Sequence, residues 1–207
     1  MKGLLLKDIY QLKNYMRVFL VLVLFCVIIG FSGKDAIFMM YYPAVLMGMM
    51  PITLFAYDEK EKFFSLLSTL PIKKRTYVMA KYVMGILLVL LACVATGAMQ
   101  GYKMIQADSF VFFDFLLVMA LALAIGLIAP AIVLPLIFLL GVEKGRFVNI
   151  IVIAIALACT NIFMKLESDF QVIVDAQKVV YIIIGAAVLI YGVSCWITSI
   201  IFEKKEY

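Results

Sequence analysis

The chain has no histidine at all, and only 15% of its 207 residues are charged. The first absence excludes histidine-based catalytic triads, histidine zinc sites and histidine pH switches. The four cysteines, Cys26, Cys93, Cys159 and Cys195, lie far apart with no Cys-x-x-Cys pair, so they read as small packing residues, not as a metal or redox centre. No G-x-x-x-x-G-K-[ST] phosphate loop occurs. The nearest piece, Gly141-Val-Glu-Lys-Gly145, lacks its spacing, so the chain is expected to hydrolyse no ATP. Asn149, Thr160 and Asn161 are polar but form no nucleophile–base pair, and no catalytic or metal site is expected. The N-terminus carries no small-x-small cleavage site, and its apolar run is read as a retained span.

Against these absences stands an excess of apolar residues, 67% of the chain, where a soluble domain averages about half. A soluble fold of this length could not cover that surface, whereas lipid can. The expected fold is therefore all-α: one polytopic membrane domain over 1–207, with about six spans at 18–31, 36–57, 77–100, 115–140, 147–164 and 179–202. The first is short. The fourth carries Pro130 and Pro135 and is expected to kink, with a split of 110–140 into a re-entrant piece and a span as the alternative. With the N-terminus inside, every Lys and Arg except Lys34, Lys103, Lys165 and Lys178 falls on the cytoplasmic side, and an odd number of spans would scatter that asymmetry. Both termini are thus expected in the cytoplasm. The net charge of +5 speaks for orientation and anionic lipid, not for nucleic-acid binding.

Two cytoplasmic stretches are amphipathic. In 1–17, Leu5, Ile9, Leu12 and Met16 recur at near-helical spacing among Lys7, Gln11, Lys13 and Arg17, as in an interfacial helix ahead of the first span. In 58–75, Asp58 and Glu61 have capping-box spacing, Phe63, Leu66, Leu67 and Leu70 form a stripe, Pro71 ends it, and Lys73-Lys74-Arg75 returns the chain to the membrane. Such a helix could rest its apolar face on lipid or serve as a docking knob. Two adjacent large rings, Phe63 and Phe64, cannot share one lipid-facing stripe, which favours docking. No ionisable residue is read in the middle of a span, with Asp114 at a span edge the nearest, which argues against a proton-driven carrier. Gly97-Ala-Met-Gln-Gly101, Ala120/Ala124 and Ala154/Ala158 are small-residue contacts, of use within the chain or at a dimer seam.

The segment Ser65-Leu-Leu-Ser-Thr-Leu-Pro-Ile-Lys-Lys-Arg-Thr-Tyr-Val-Met-Ala-Lys-Tyr82, together with the opening Met1-Lys-Gly-Leu-Leu-Leu-Lys-Asp8, resembles ABC-2 type permeases. The likeness is to the small six-span group that includes membrane subunits of bacterial exporters of phenol-soluble modulin peptides, a type V exporter architecture. That resemblance implies an elbow helix in 1–17 (Leu5, Ile9, Leu12, Met16) and a coupling helix in 58–75. The ATPase-docking surface would be Phe63, Phe64, Leu66, Leu67 and Leu70, with Glu61 and Lys73 as polar rim. It also implies a short outer element, re-entrant in relatives, at 165–178. Two permease copies, a homodimer, would pair with two ABC ATPase subunits that carry the ATP and Mg. The cargo would be an amphipathic peptide leaving a bacterial plasma membrane. Read from the residues themselves, Met39, Met40, Met47 and Met50 of the second span either line an adaptable apolar path, since thioethers repack readily, or are ordinary membrane-helix residues. This chain itself would bind no cofactor. The rival reading is a non-transport membrane protein, such as an immunity or structural partner-binding subunit.

Overall fold

The computed structural model describes residues 2–32, 37–69, 73–106, 111–141 and 176–204. Every regular element among them is an α-helix: α1 (Lys2–Ser32), α2 (Ile37–Gly48), α3 (Met50–Lys60), α4 (Phe63–Thr69), α5 (Lys74–Gln106), α6 (Phe112–Leu140) and α7 (Ala176–Lys204). Three stretches among the described residues are long and apolar enough to cross a bilayer: Lys74–Gln106, Phe115–Leu140 and Tyr181–Lys204. They match the third, fourth and sixth expected spans. The fifth expected span, 147–164, lies outside the described residues, as does all of the expected outer segment 165–178 except 176–178 in the first turn of α7.

Two local features depart from the sequence-based outline. The expected elbow and first span run together as one helix of 31 residues. Between Asn14 and Leu24 the chain offers no Gly or Pro to break it. The second expected span is two helices instead, because α2 ends at Gly48 and α3 restarts at Met50. Pro51, at the start of α3, has no N–H to give to α2's ladder, and Ile52 N–H bonds instead to the Met49 carbonyl at 3.1 Å. The alternative split of 110–140 does not occur, since α6 is continuous through Pro130 and Pro135.

Close contacts between helices hold this bundle. Gly48 of α2 lies directly on α6: a Cβ there would stand 2.3 Å from the Gly126 carbonyl oxygen. Gly97 packs on Met119 of α6, and Gly101 approaches Phe115, so this glycine pair serves packing within the chain. Ala120 and Ala124 are likewise buried. α7 is tied to α5 and α6 by hydroxyls. Tyr82 shares hydrogen bonds of 2.7 Å with Ser194 and with Thr198, Tyr191 donates to the Tyr82 carbonyl at 2.9 Å, and Ser194 donates to the Ala131 carbonyl. In an apolar bundle such bonds fix the rotation of one helix against another, because a hydroxyl left without a partner there is costly.

Candidate functional site

At the end of the bundle where α5 begins and α7 ends, one aromatic ring from each of five helices meets. Phe55 (α3), Phe64 (α4), Tyr77 (α5), Phe138 (α6) and Phe202 (α7) are all buried. Ring centroids lie 5.3 Å apart for Phe55 and Phe64, 4.3 Å for Phe55 and Phe138, 5.8 Å for Phe64 and Tyr77, and 5.8 Å for Phe64 and Phe202. Phe138 and Phe202 meet edge-on at 5.2 Å. Offset and edge-on pairs of this kind add to plain area burial.

The root of α4 is therefore inside the protein. Phe64 and Leu67 are buried, whereas Glu61, Lys62, Ser65 and Thr69 are exposed and Leu66 is 56% exposed. Phe63 is half-buried, with the Lys7 ammonium 3.6 Å over its ring, a cation–π contact. Lys73 is exposed just before α5, and Leu70 lies outside the described residues. Of the residues expected on one docking face, the fold thus turns Phe64 and Leu67 inward and leaves Leu66 outward.

The expected capping box does not form. α3 continues through Asp58 to Lys60, Lys62 turns the chain with φ 53°, and α4 begins at Phe63. Ser65 closes that turn, its hydroxyl donating to the Lys62 carbonyl at 2.6 Å. Asp58 cannot cap α4 because its carboxylate is used elsewhere. Lys7 donates to Oδ1, while Tyr77 (2.6 Å) and Lys81 (2.8 Å) donate to Oδ2. Lys81 also donates to Asp8 Oδ1 at 2.8 Å. The side chains of Asp58, Asp8 and Lys81 are 0%, 2% and 1% exposed. Two carboxylates and two ammonium groups thus join α1, α3 and α5, next to the aromatic cluster.

Reading the sequence assigned the lysines to orientation and Asp58 to capping, gave Asp8 no role, and missed their meeting. A signal was present. Asp8 lies midway between Leu4 and Leu12, Asp58 one turn after Leu54, and Lys81 one turn after Tyr77, and all four of those neighbours are buried. A charge on an apolar stripe is a charge that packing will bury. On α1 the buried stripe is Leu4, Asp8 and Leu12, with Leu5 partly buried and Ile9 51% exposed. The side chain of Met16 is outside the described residues.

The two carboxylates differ in supply. Burial alone would raise Asp58, but Lys81, Lys7 and the Tyr77 hydroxyl outweigh it and hold it below the ordinary 3.8. Burial dominates at Asp8 and raises it above 3.8 despite Lys81. Asp8 Oδ2 has no hydrogen-bond partner and neither has Gln11 Oε1, one turn further along α1. Linkage gives opposite signs. Asp58 contributes stability that is lost as pH falls through its lowered value; the Asp8 contribution is present at low pH and lost as pH rises through its raised value. Asp8→Asn removes only the second. Wild type should therefore gain stability relative to Asp8→Asn as pH falls from neutral toward 4, read by thermal unfolding in detergent; a constant difference would contradict the raised value.

Met47 and Met50 are also buried, packed with Leu12, Val23, Ala44, Leu54, Met84 and Leu88 between α1, α2, α3 and α5. The side chains of Met39 and Met40 lie outside the described residues. No group of three or more Cys, Asp or Glu suited to hold a metal occurs among the described residues. The family model for ABC-2 family transporter protein matches residues 3–203. The chain belongs to the ABC-2 transporter family. That family comprises membrane components of transport, which normally work with an ABC ATPase. No curated protein and no solved structure matches the chain. In this ABC-2 chain, then, the buried charges and rings surround the root of a seven-residue helix at one end of the bundle.

Proposed function

We propose that the protein is the membrane permease subunit of an ATP-driven exporter with six spans and cytoplasmic termini, and that α4 is where the ATPase pushes. The observation that carries this is the rooting of α4. A helix of seven residues is too short to be stable by itself, yet this one is fixed by Phe64 and Leu67 into a cluster built from four other helices. Force applied to its outward side reaches the whole bundle. Glu61, Lys62, Ser65, Leu66 and Thr69 form that outward side, with Lys73 beyond, and would seat in a groove of the ATPase. Two permease copies would pair with two ATPases, which hold the ATP and Mg. The cargo would be an amphipathic peptide, passing between copies. Met47 and Met50, in the seam of α2 and α3 with α1 and α5, would border its path once that seam opens, because thioethers repack readily.

Two substitutions separate root from docking surface. Leu66→Asp should leave the chain folded and monodisperse in mild detergent but abolish co-purification of an ATPase expressed with it. Phe64→Asp, which places a carboxylate among rings, should lower the amount of folded chain itself. A Leu66→Asp protein that still retains the ATPase would remove α4 as the docking site. A wild-type chain that runs alone beside every ATPase encoded near it would favour the non-transport reading.

A further inference from the structure

A buried ion network gains little stability over apolar side chains of the same volume, because desolvation offsets attraction; its best-attested role is to fix a register or a switch. The network here sits at both stems of α4, with Asp58 on the helix before it and Tyr77 and Lys81 on the helix after it. Its remaining members, Lys7 and Asp8, belong to α1. The supply of donors is uneven. Asp58 accepts from three groups, so losing one leaves it satisfied. Asp8 accepts from Lys81 alone, and its second oxygen is bare. One turn along the same helix, Gln11 is half-buried, and its Oε1 is enclosed without a hydrogen-bond donor. Buried acceptors without donors are rare and call for a reason. An ammonium group has three donors and a flexible stem, so Lys81 can follow a helix that slides past it. Residues three apart on α1 share a face, so the bare acceptors lie in line along the slide.

We propose that Lys81 is a two-position latch on α1, held now on Asp8 and free to pass to Gln11 when α4 is displaced, so that ATPase movement shifts α1 by about one helix turn against α5. Asp8, Gln11 and Lys81 are positioning residues in this scheme, and Asp58 is the fixed anchor. The inference rests on the ATPase-docking reading of α4. One-turn ratchets of one element past another are an established way to make a packed interface bistable. The charge balance allows it: Asp58 keeps Tyr77 and Lys81 throughout, so it stays satisfied when Lys7 travels away with α1, and Lys81 keeps that carboxylate while exchanging its other acceptor.

The test is a distance measurement on the permease–ATPase complex. Spin labels at Arg17 on α1 and Met79 on α5, both exposed, are introduced after replacing the native cysteines with alanine. Non-hydrolysable ATP should change the label distance by up to about 5 Å, one turn of helix. Gln11→Leu removes the second position without touching the observed network. It should keep ATPase binding and the nucleotide-free distance but abolish the shift. Asp8→Asn weakens the first position, and should move the nucleotide-free distribution toward the nucleotide-bound distance. This opposite response keeps the idea testable should Gln11→Leu fail to accumulate. A full shift in Gln11→Leu, or an unchanged distribution in Asp8→Asn, overturns the latch alone. No ATPase binding by wild type removes the docking reading, and the latch falls with it.

Discussion

Replacing Asp58 with alanine should destabilise the chain by about 3–5 kcal/mol, the usual consequence of removing one partner from a buried ion pair. The reason is what stays behind. Lys81, 1% exposed, would keep only Asp8, whose carboxylate already resists ionisation. Lys7 would lose its carboxylate and keep the Phe63 ring, and the buried Tyr77 hydroxyl its acceptor. Asp58→Asn should cost less, since its amide oxygen still accepts from Tyr77 or a lysine. The check is the thermal midpoint of the detergent-solubilised chain, with monodisperse yield as a second reading. Equal midpoints for wild type and Asp58→Ala would mean that the carboxylate is dispensable to the fold. The same experiment separates Asp58 from Glu203, whose ion pair with Arg75 is exposed on both sides. Glu203→Ala should change stability by less than about 1 kcal/mol.

Gly48→Ala should cost about 1–3 kcal/mol, as overpacking does, and Gly48→Leu should prevent α2 from seating on α6. A Cβ at Gly48 meets the Gly126 carbonyl oxygen at 2.3 Å and Val89 at 3.2 Å. The first neighbour is backbone and cannot rotate away. Gly126→Ala meets Val89 Cγ1 at 2.8 Å and the Ala44 Cβ and carbonyl oxygen at 3.2 Å; it is overpacked too, but its nearest approach is longer and to a side chain, so its cost should be smaller. Gly185 and Gly192 on α7 supply the control, because a Cβ there meets nothing within 4 Å. Alanine at those two positions should be neutral or stabilising by up to about 1 kcal/mol, through helix propensity alone. If all four alanine variants unfold at the same midpoint, the α2–α6 crossing is looser than the distances imply.

Gly48 and Asp58 stand very differently in the sequence. Gly48 is one glycine among twelve, in a stretch read for its apolar run. That its neighbour is Gly126, far along the chain, follows only from how α2 crosses α6. Asp58 stood out in the sequence, but as a helix cap, because Glu61 follows at the expected spacing. Local pattern favoured the cap; three donors from α1 and α5 decided otherwise.

The sequence by itself determined the helical class, the segments long and apolar enough to span in α5, α6 and α7, and the short helix between α3 and α5. These follow from composition and from the spacing of apolar residues within a few turns, which the local backbone converts directly into helix and helix face. Membership in the ABC-2 family was legible as a resemblance in Met1–Asp8 and Ser65–Tyr82 and agrees with the match over residues 3–203. Tertiary structure alone decided which side of α4 faces inward. Phe64 is buried because rings from α3, α5 and α7 meet it, and Leu67 joins the same core cluster; periodicity within seven residues carries no information about those partners. It alone decided that Asp8, Asp58 and Lys81 share one site. The sequence shows each charge on an apolar stripe but not which opposite charge it will meet; only the packing of α1 against α3 and α5 excludes the water and makes the ion pairs obligatory.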